Sequence, residues 1–373
     1  MGNKQILTFA IIFAASGLFF WNHGYAQTNI RTVGGLQIVS NGMKPAPPPG
    51  IPTRIRLERD LILGAGSGPE DIFSEPIAAA VDKDENIYVL DSKENRIKVF
   101  DREGRFLRGF GRKGQGPGEF LRPTGMFLSP KEEIFVDDLV SRRIAVFNRE
   151  GTFLRHVSAL TAAPRIIADM DSQGSLIGLA FDISGSAFFR RINKYSPELA
   201  LLSTYDSVEI GNPLVSGLNI SENVIYGKID PRDRLYLGGG TAYEIRIFAP
   251  DGKLVRKILK AYQPMKVPGE TGKGAAVNIP ELKKSIKIVQ PEYSPPFFGF
   301  TIDEDGRLIV LAARKSAGGG GLPFDVFDGE GRFISEIRLP VFPLLWKNKR
   351  LYGIEESEDG NPCLARYRVS WER

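Results

Sequence analysis

The sequence predicts an all-β chain: a six-bladed β-propeller of four-stranded antiparallel blades, closed by an N-terminal strand that completes the last blade. Three observations carry this prediction. The run IYVLDSKENRIKVFDREG at 87–104 recurs as IFVDDLVSRRIAVFNREG at 134–151, an offset of 47 that aligns Asp91 with Asp138, Arg96 with Arg143, Phe100 with Phe147 and Gly104 with Gly151. Within each copy apolar and polar residues alternate over about four to eight positions, rich in β-branched and aromatic types and punctuated by Gly, Asp or Asn, the pattern of short strands. Finally, LGAGSGPEDIFSEP at 63–76 resembles FGRKGQGPGEFLRP at 110–123, again 47 apart, so the residues before 63 should stand where a preceding blade ends. A fixed period of this size marks a repeat architecture, and a closed ring holds 373 residues in one unit where length alone would suggest two domains.

In chain order, residues 1–26 read as an export signal: Lys4 is the positive start, Ile6 to Trp21 is an almost unbroken apolar run, and Gly24 and Ala26 place small residues at −3 and −1 of a cleavage site before Gln27. As a helix that run would span about 24 Å, short of the ~30 Å hydrocarbon core, so no stable membrane span is expected after cleavage; retention as an anchor is the alternative. Residues 27–50 are Pro- and Gly-rich, ending in KPAPPPG, and read as an extended tether. The propeller follows over 51–373. Its first strand, 55–63, supplies the missing strand of the last blade, and blades follow at 74–112, 121–158, 164–204, 222–260 and 297–339, with three strands in 341–371. Four strands fall near 77–82, 86–91, 96–101 and 105–111 in the first blade. Only Pro280 to Gln290 offers a competing helical period.

Scarcity limits the chemistry. His23, His156 and Cys363 are the only histidines and the only cysteine, which excludes sites built from several His or Cys ligands and any intrachain disulfide. The formal charge of +5 comes from interleaved charges, so no nucleic-acid partner is expected. GFGRKG at 109–114 fits a dinucleotide-type glycine pattern, but no helix follows it and the same stretch recurs at 64–68 as an inter-blade turn. DKDEN at 82–86 resembles the start of a calcium loop yet lacks the loop glycine and the distal glutamate, and similar turns at 230–233 and 303–306 favour tight hairpins. Arg102, Arg105, Arg108, Arg112 and Lys113 form a basic run on an outer strand, read as a solvated edge with anionic docking as the alternative. His156 falls on an outermost strand, remote from the channel, which disfavours a Ser-His-Asp site.

Asp91, Arg96, Asp138 and Arg143 read as blade staples: each carboxylate accepts loop amides and the facing guanidinium clamps it. Alternate connections leave a propeller on opposite faces. One face receives only short turns, whereas the other receives the linkers and the long excursions 205–224, 261–296 and 312–322. Long loops in compact domains are usually functional. The ligand site is therefore expected at the channel mouth on that face, with Arg122, Arg165, Tyr226, Tyr243, Tyr262, Tyr293 and Phe297 as candidate ligand-binding residues and 261–296 as a lid or docking arm.

The segments YVLDS at 88–92 and NRIKVFD at 95–101, with Gly104, the linker at 110–120 and Pro123, resemble those of NHL-repeat proteins, strongly across 60–158 and more weakly to 260. The chain is similar to exported bacterial six-bladed propellers of that type. The resemblance implies binding platforms, though six-bladed relatives include metal-dependent lactonases and lyases. The expectation is a periplasmic or secreted, non-catalytic platform with no cofactor, its partner an envelope protein, peptide, glycan or small molecule. The alternative is a metal-assisted hydrolase or lyase using a divalent ion such as Ca²⁺ and carboxylates and an asparagine of the kind offered by Glu75, Asp169 and Asn219.

Overall fold

A computed structural model describes residues 28–66, 68, 70, 72–158, 166–184, 187–212, 218–219, 224–267, 288–289, 291–314 and 320–373. The export segment 1–26 and Arg165 lie outside these residues. So do residues 280–287 of the helical-period stretch, whose described part, Ile288–Val289, is strand.

The chain opens with a hairpin of β1 (Asn29–Val33) and β2 (Leu36–Asn41), then β3 (Arg54–Leu63). Blade 1 holds β4 (Pro76–Val81), β5 (Ile87–Asp91), β6 (Arg96–Phe100) and β7 (Phe106–Phe110). Blade 2 holds β8 (Pro123–Leu128), β9 (Ile134–Asp138), β10 (Arg143–Phe147) and β11 (Phe153–Val157). Blade 3 holds β12 (Ile166–Met170), β13 (Leu176–Ser184), β14 (Ala187–Tyr195) and β15 (Leu201–Ile210), and the short β16 (Leu218–Asn219) follows. Blade 4 comprises β17 (Ile225–Ile229), β18 (Leu235–Gly239), β19 (Glu244–Phe248) and β20 (Leu254–Lys260), followed by β21 (Ile288–Val289). Blade 5 is β22 (Phe297–Ile302), β23 (Leu308–Ala312), β24 (Leu322–Phe327) and β25 (Phe333–Leu339). Blade 6 is β26 (Pro343–Lys347), β27 (Arg350–Glu356) and β28 (Pro362–Glu372), to which β3 adds antiparallel as the fourth strand, from Leu364 opposite Leu63 to Glu372 opposite Arg54. The first strands of the six blades pack against one another in a closed ring around the axis.

The repeated residues explain themselves in packing. Phe100, Phe147, Phe248 and Phe327 end the third strands and are buried between blades, a place Tyr195 takes in blade 3. The repeat glycines Gly104, Gly151 and Gly331 have φ of 90°, 88° and 83°. That left-handed region favours glycine. Nor is there room for a side chain: a Cβ would stand 2.7 Å from Leu61, 2.5 Å from Phe110 and 2.7 Å from Ile258, respectively.

The tether expected over 27–50 is a strap. β2 pairs parallel to β20, from Gln37 opposite Arg256 to Asn41 opposite Lys260, so blade 4 becomes a six-stranded sheet. Asn41, 6% exposed, stitches blade 4 to blade 5: its Nδ2 donates to the Leu259 and Gly331 carbonyls at 3.2 and 3.0 Å, and its Oδ1 accepts the Phe333 N–H at 2.9 Å. Ala46 then donates to the Phe333 carbonyl at 2.9 Å and Ser335 to the Thr53 carbonyl at 2.6 Å, before β3 enters blade 6. The segment reads as a linker because the edge that makes β2 a strand lies more than two hundred residues downstream.

Neighbouring blades are tied across the short-turn face. Lys83 and Asp84 of blade 1 reach Glu132 and Arg149 of blade 2 at 2.9 and 2.7 Å, Ser172 of blade 3 donates to Asp233 of blade 4 at 2.5 Å, and Glu304 of blade 5 accepts the Asn348 and Lys349 amides of blade 6 at 2.9 and 2.7 Å. Asn348 also donates to Glu85 of blade 1 at 3.0 Å. Asp82, read as a calcium-loop start, accepts the Asp84 and Asn86 amides at 2.9 and 2.8 Å, which is hairpin chemistry.

Candidate functional site

On the opposite face blade 3 is taller than its neighbours. β13, β14 and β15 run 9, 9 and 10 residues, where the corresponding strands of blades 1 and 2 have 5. The excursion expected from 205 therefore begins after Ile210, because 205–210 extend β15. This excursion meets the one at 261–296 in a short parallel pair, with Leu218 opposite Ile288 and Asn219 opposite Val289.

The innermost strands carry register breaks near this mouth, between Pro76 and Ala78, Pro123 and Gly125, Phe297 and Phe300, and Pro343 and Leu345. A bulge leaves a residue out of the ladder and re-aims its side chain, and bulges concentrate at binding sites. The residues released are Ile77, Thr124, Phe298 with Gly299, and Leu344. Thr124 is exposed and Phe298 is 43% exposed, while Ile166, at the head of β12, is 40% exposed.

Against this mostly apolar rim one polar pair stands out. Thr124 donates its hydroxyl to Asp137 Oδ2 at 3.2 Å, and Asp137 Oδ2 also accepts the Ile167 N–H of blade 3 at 3.4 Å. Asp137 is 6% exposed, and burial, reinforced by the neighbouring Asp138, pushes its carboxyl up to about 6 despite those two hydrogen bonds. A buried carboxylate with a strongly perturbed pKa is a candidate functional group. One repeat earlier the equivalent residues are Ile77 and Leu90, so both polar residues replace apolar ones together. This was the signal in the sequence: the same 47-residue alignment that reveals the blades exposes Thr124 and Asp137 as its paired exceptions.

The residues singled out from sequence are dispersed. Tyr243 and Phe297, 4% and 1% exposed, belong to the core between blades 4 and 5, and Tyr243 donates to Asp325 Oδ2 at 2.7 Å. They are corrected to packing residues, since both rings fill the seam between blades 4 and 5 and the Tyr243 hydroxyl is spent on Asp325. Tyr226 lies half-buried against Phe297 and Phe300, with ring centroids 6.1 and 6.5 Å away, and burial raises its phenol above the usual range. Tyr262 donates to the Thr241 carbonyl at 2.6 Å. Tyr293 is 42% exposed, with Lys266 Nζ 5.9 Å from its ring centroid. Arg122 places its backbone N–H 2.9 Å from Asp138 Oδ1. Glu75 accepts the Ser92 hydroxyl at 2.5 Å, Asp169 accepts the Ile229 N–H at 2.9 Å, and Asn219 sits in β16. Among the described residues no three His, Cys, Asp or Glu side chains converge as a metal site. His156 is on outermost β11 with its ring 4.6 Å from that of Phe153, and burial lowers its imidazole.

The staples hold by a different division of labour. Asp91 accepts the amides of Ser74, Glu75, Lys93 and Glu94 at 2.6, 3.2, 3.1 and 3.0 Å, and Asp138 those of Leu121 and Arg122 at 2.7 and 2.9 Å. The arginines do not clamp them. Arg96 pairs with Glu70 at 3.1 Å, and Arg143 donates to the Gln115 carbonyl at 2.8 Å, because each side chain reaches the inter-blade linker beyond its facing carboxylate. Asp91→Ala is therefore expected to destabilise the ring by about 2 kcal/mol through its orphaned amides, and Arg96→Ala by less than about 1 kcal/mol, because a half-exposed ion pair contributes little. Urea unfolding of the two variants checks this; equal losses would return the arginine to the staple.

Two clefts lie away from the mouth. One of about 360 Å³ sits at the blade 6–blade 1 seam, lined among others by Asp60, Glu85, Arg350 and Arg366. Its charges are mutually paired, Arg366 with Asp60 at 2.8 Å and Arg350 with Glu85 at 2.9 Å. The other, of about 610 Å³, is an outer groove between blades 5 and 6.

Comparison with known proteins agrees with this architecture. The family model DUF5128, described as a 6-bladed beta-propeller, matches residues 72–185. A candidate exported protein from Bacteroides fragilis NCTC 9343 is similar in structure at a TM-score of 0.57 and 13% identity, over 90% of this chain and 100% of that one. A member of the DUF4221 family from Bacteroides vulgatus ATCC 8482 follows at 0.53 and 12%, over 86% and 100%. Virginiamycin B lyase from Staphylococcus aureus scores 0.46 at 10% identity, over 84% and 99%. The first two likenesses concern the fold alone. No curated protein matches the chain.

Proposed function

We propose that this chain is an exported, NHL-type binding propeller that takes a small ligand, or the protruding group of a larger partner, at the channel mouth on its elaborated face. The observation that carries the reading is the paired replacement of Ile77 and Leu90 by Thr124 and Asp137. A buried carboxylate in an otherwise apolar layer costs stability, and such costs are typically retained where function needs them. The short-turn face is laced by inter-blade ties, whereas the elaborated face carries the bulged rim, the tall strands of blade 3 and the joined excursions. Export rests on the signal-like segment 1–26.

The test is a thermal-shift screen of the purified protein against amino acids, short peptides, small glycans and amphiphiles, run beside the Thr124→Ile, Asp137→Leu double variant. That variant installs the residues of blade 1. A ligand at about 100 times its dissociation constant adds about 2.7 kcal/mol to the stability of the protein that binds it. The expected result is a class of compounds that shifts the parent and not the variant. Shifts of equal size in both would place binding away from the mouth.

A further inference from the structure

We infer that the mouth selects ligands that present a hydrogen-bond donor, an ammonium or a hydroxyl, from an apolar body, and that it discriminates against carboxylate heads. This rests on the binding reading above and deepens it. The pair at the mouth consists of acceptors. Thr124 spends its single proton on Asp137, so toward a ligand its Oγ1 offers lone pairs. Both hydrogen bonds to the Asp137 carboxylate end on Oδ2, leaving Oδ1 as the acceptor for a third donor. Four described residues of the rim, Ile77, Leu344, Ile166 and Phe298, are apolar, and the aromatic face of Phe298 also suits a cation. An ammonium or hydroxyl can therefore satisfy the buried carboxylate while its alkyl part covers the rim. A carboxylate would meet a like charge.

The electrostatic surroundings keep this selectivity under pH control. The charge that bears on Asp137 is that of Asp138 on its own strand, itself held by the Leu121 and Arg122 amides and by the Ser141 hydroxyl at 2.7 Å. On β12 the nearest carboxylate, Asp169, faces the Ile229 amide of blade 4. On β10, Arg143 is turned to the linker carbonyls. With its carboxyl near 6, Asp137 is an acceptor at pH 7.5 and carries a donor proton at pH 5, so donor selection should hold at the first and fade at the second.

The experiment titrates the full-length protein with three probes sharing one chain: hexylamine, hexanol and hexanoate, by calorimetry at pH 7.5 and 5.0. Hexylamine and hexanol should bind at least tenfold tighter than hexanoate at pH 7.5, and the ratio should fall below threefold at pH 5.0. Asp137→Leu should give the low ratio at both pH values, and Phe298→Ala should weaken all three probes alike, which locates them at the mouth. Equal affinities for the three at pH 7.5, all weakened by Phe298→Ala, would overturn donor selection and leave the mouth as a binding site. Saturation by none, or indifference to Phe298→Ala, would overturn the mouth reading and the inference with it.

Discussion

Replacing Asn41 with alanine should lower the unfolding free energy by about 3 kcal/mol, a large loss for one polar side chain outside the channel and its mouth. The reason lies in what is left behind. Alanine deprives the Phe333 N–H and the Leu259 and Gly331 carbonyls of a partner at a site 6% exposed, where water cannot readily replace it. Thr28→Val is the control. It removes only the hydroxyl that donates to Asn41 Oδ1 at 2.9 Å, and should cost about 1 kcal/mol or less. Urea unfolding followed by tryptophan fluorescence measures both, and near-equal losses would mean that the strap lies on the rim without stitching blade 4 to blade 5.

Asp137→Leu should have the opposite sign, stabilising the protein at pH 7.5 by up to about 3 kcal/mol. Burial raises the carboxyl from an ordinary value of 3.8 to about 6. Each unit of such a shift corresponds to about 1.4 kcal/mol between the charged and neutral forms, which sets the upper bound, and the Ile167 N–H left without its acceptor subtracts from it. The sign follows from proton binding: between pH 4 and 6 the folded state holds a proton that the unfolded state has released, so this residue's contribution is fully present below about 4 and is lost as pH rises through about 6. Other carboxylates, held low by their arginines, titrate on acidification too, so the informative quantity is the parent minus Asp137→Asn difference from pH 4 to 8. A difference that does not vary with pH would show that Asp137 ionises normally and would remove the pH dependence of donor selection. A gain in stability accompanied by loss of ligand binding is the trade expected of a functional residue in a structural layer.

Much of this molecule is legible without coordinates, and the reason is its periodicity. The 47-residue offset, the alternation inside each copy and the likeness of 63–76 to 110–123 specify six blades and the strand that closes the ring, because each feature is local or repeats at a fixed distance. The Asp91 and Asp138 staples are legible on the same ground, since a carboxylate beside a turn meets the amides of that turn wherever the turn recurs. The mouth pair was equally accessible, as two coincident departures from the repeat at Thr124 and Asp137, although aromatic and cationic residues on long loops draw attention first.

What the tertiary structure alone decided are the matters that depend on remote neighbours. β2 is a strand because β20 offers it an edge, and nothing within 27–50 records that edge. Tyr243 and Phe297 are core residues because blades 4 and 5 close over them, which residue type and loop length do not reveal. Arg96 and Arg143 bypass their facing carboxylates because the inter-blade linkers pass within reach. The repeat determines the architecture through local patterning, whereas burial and hydrogen-bond partners are set by which blades the closed ring makes adjacent.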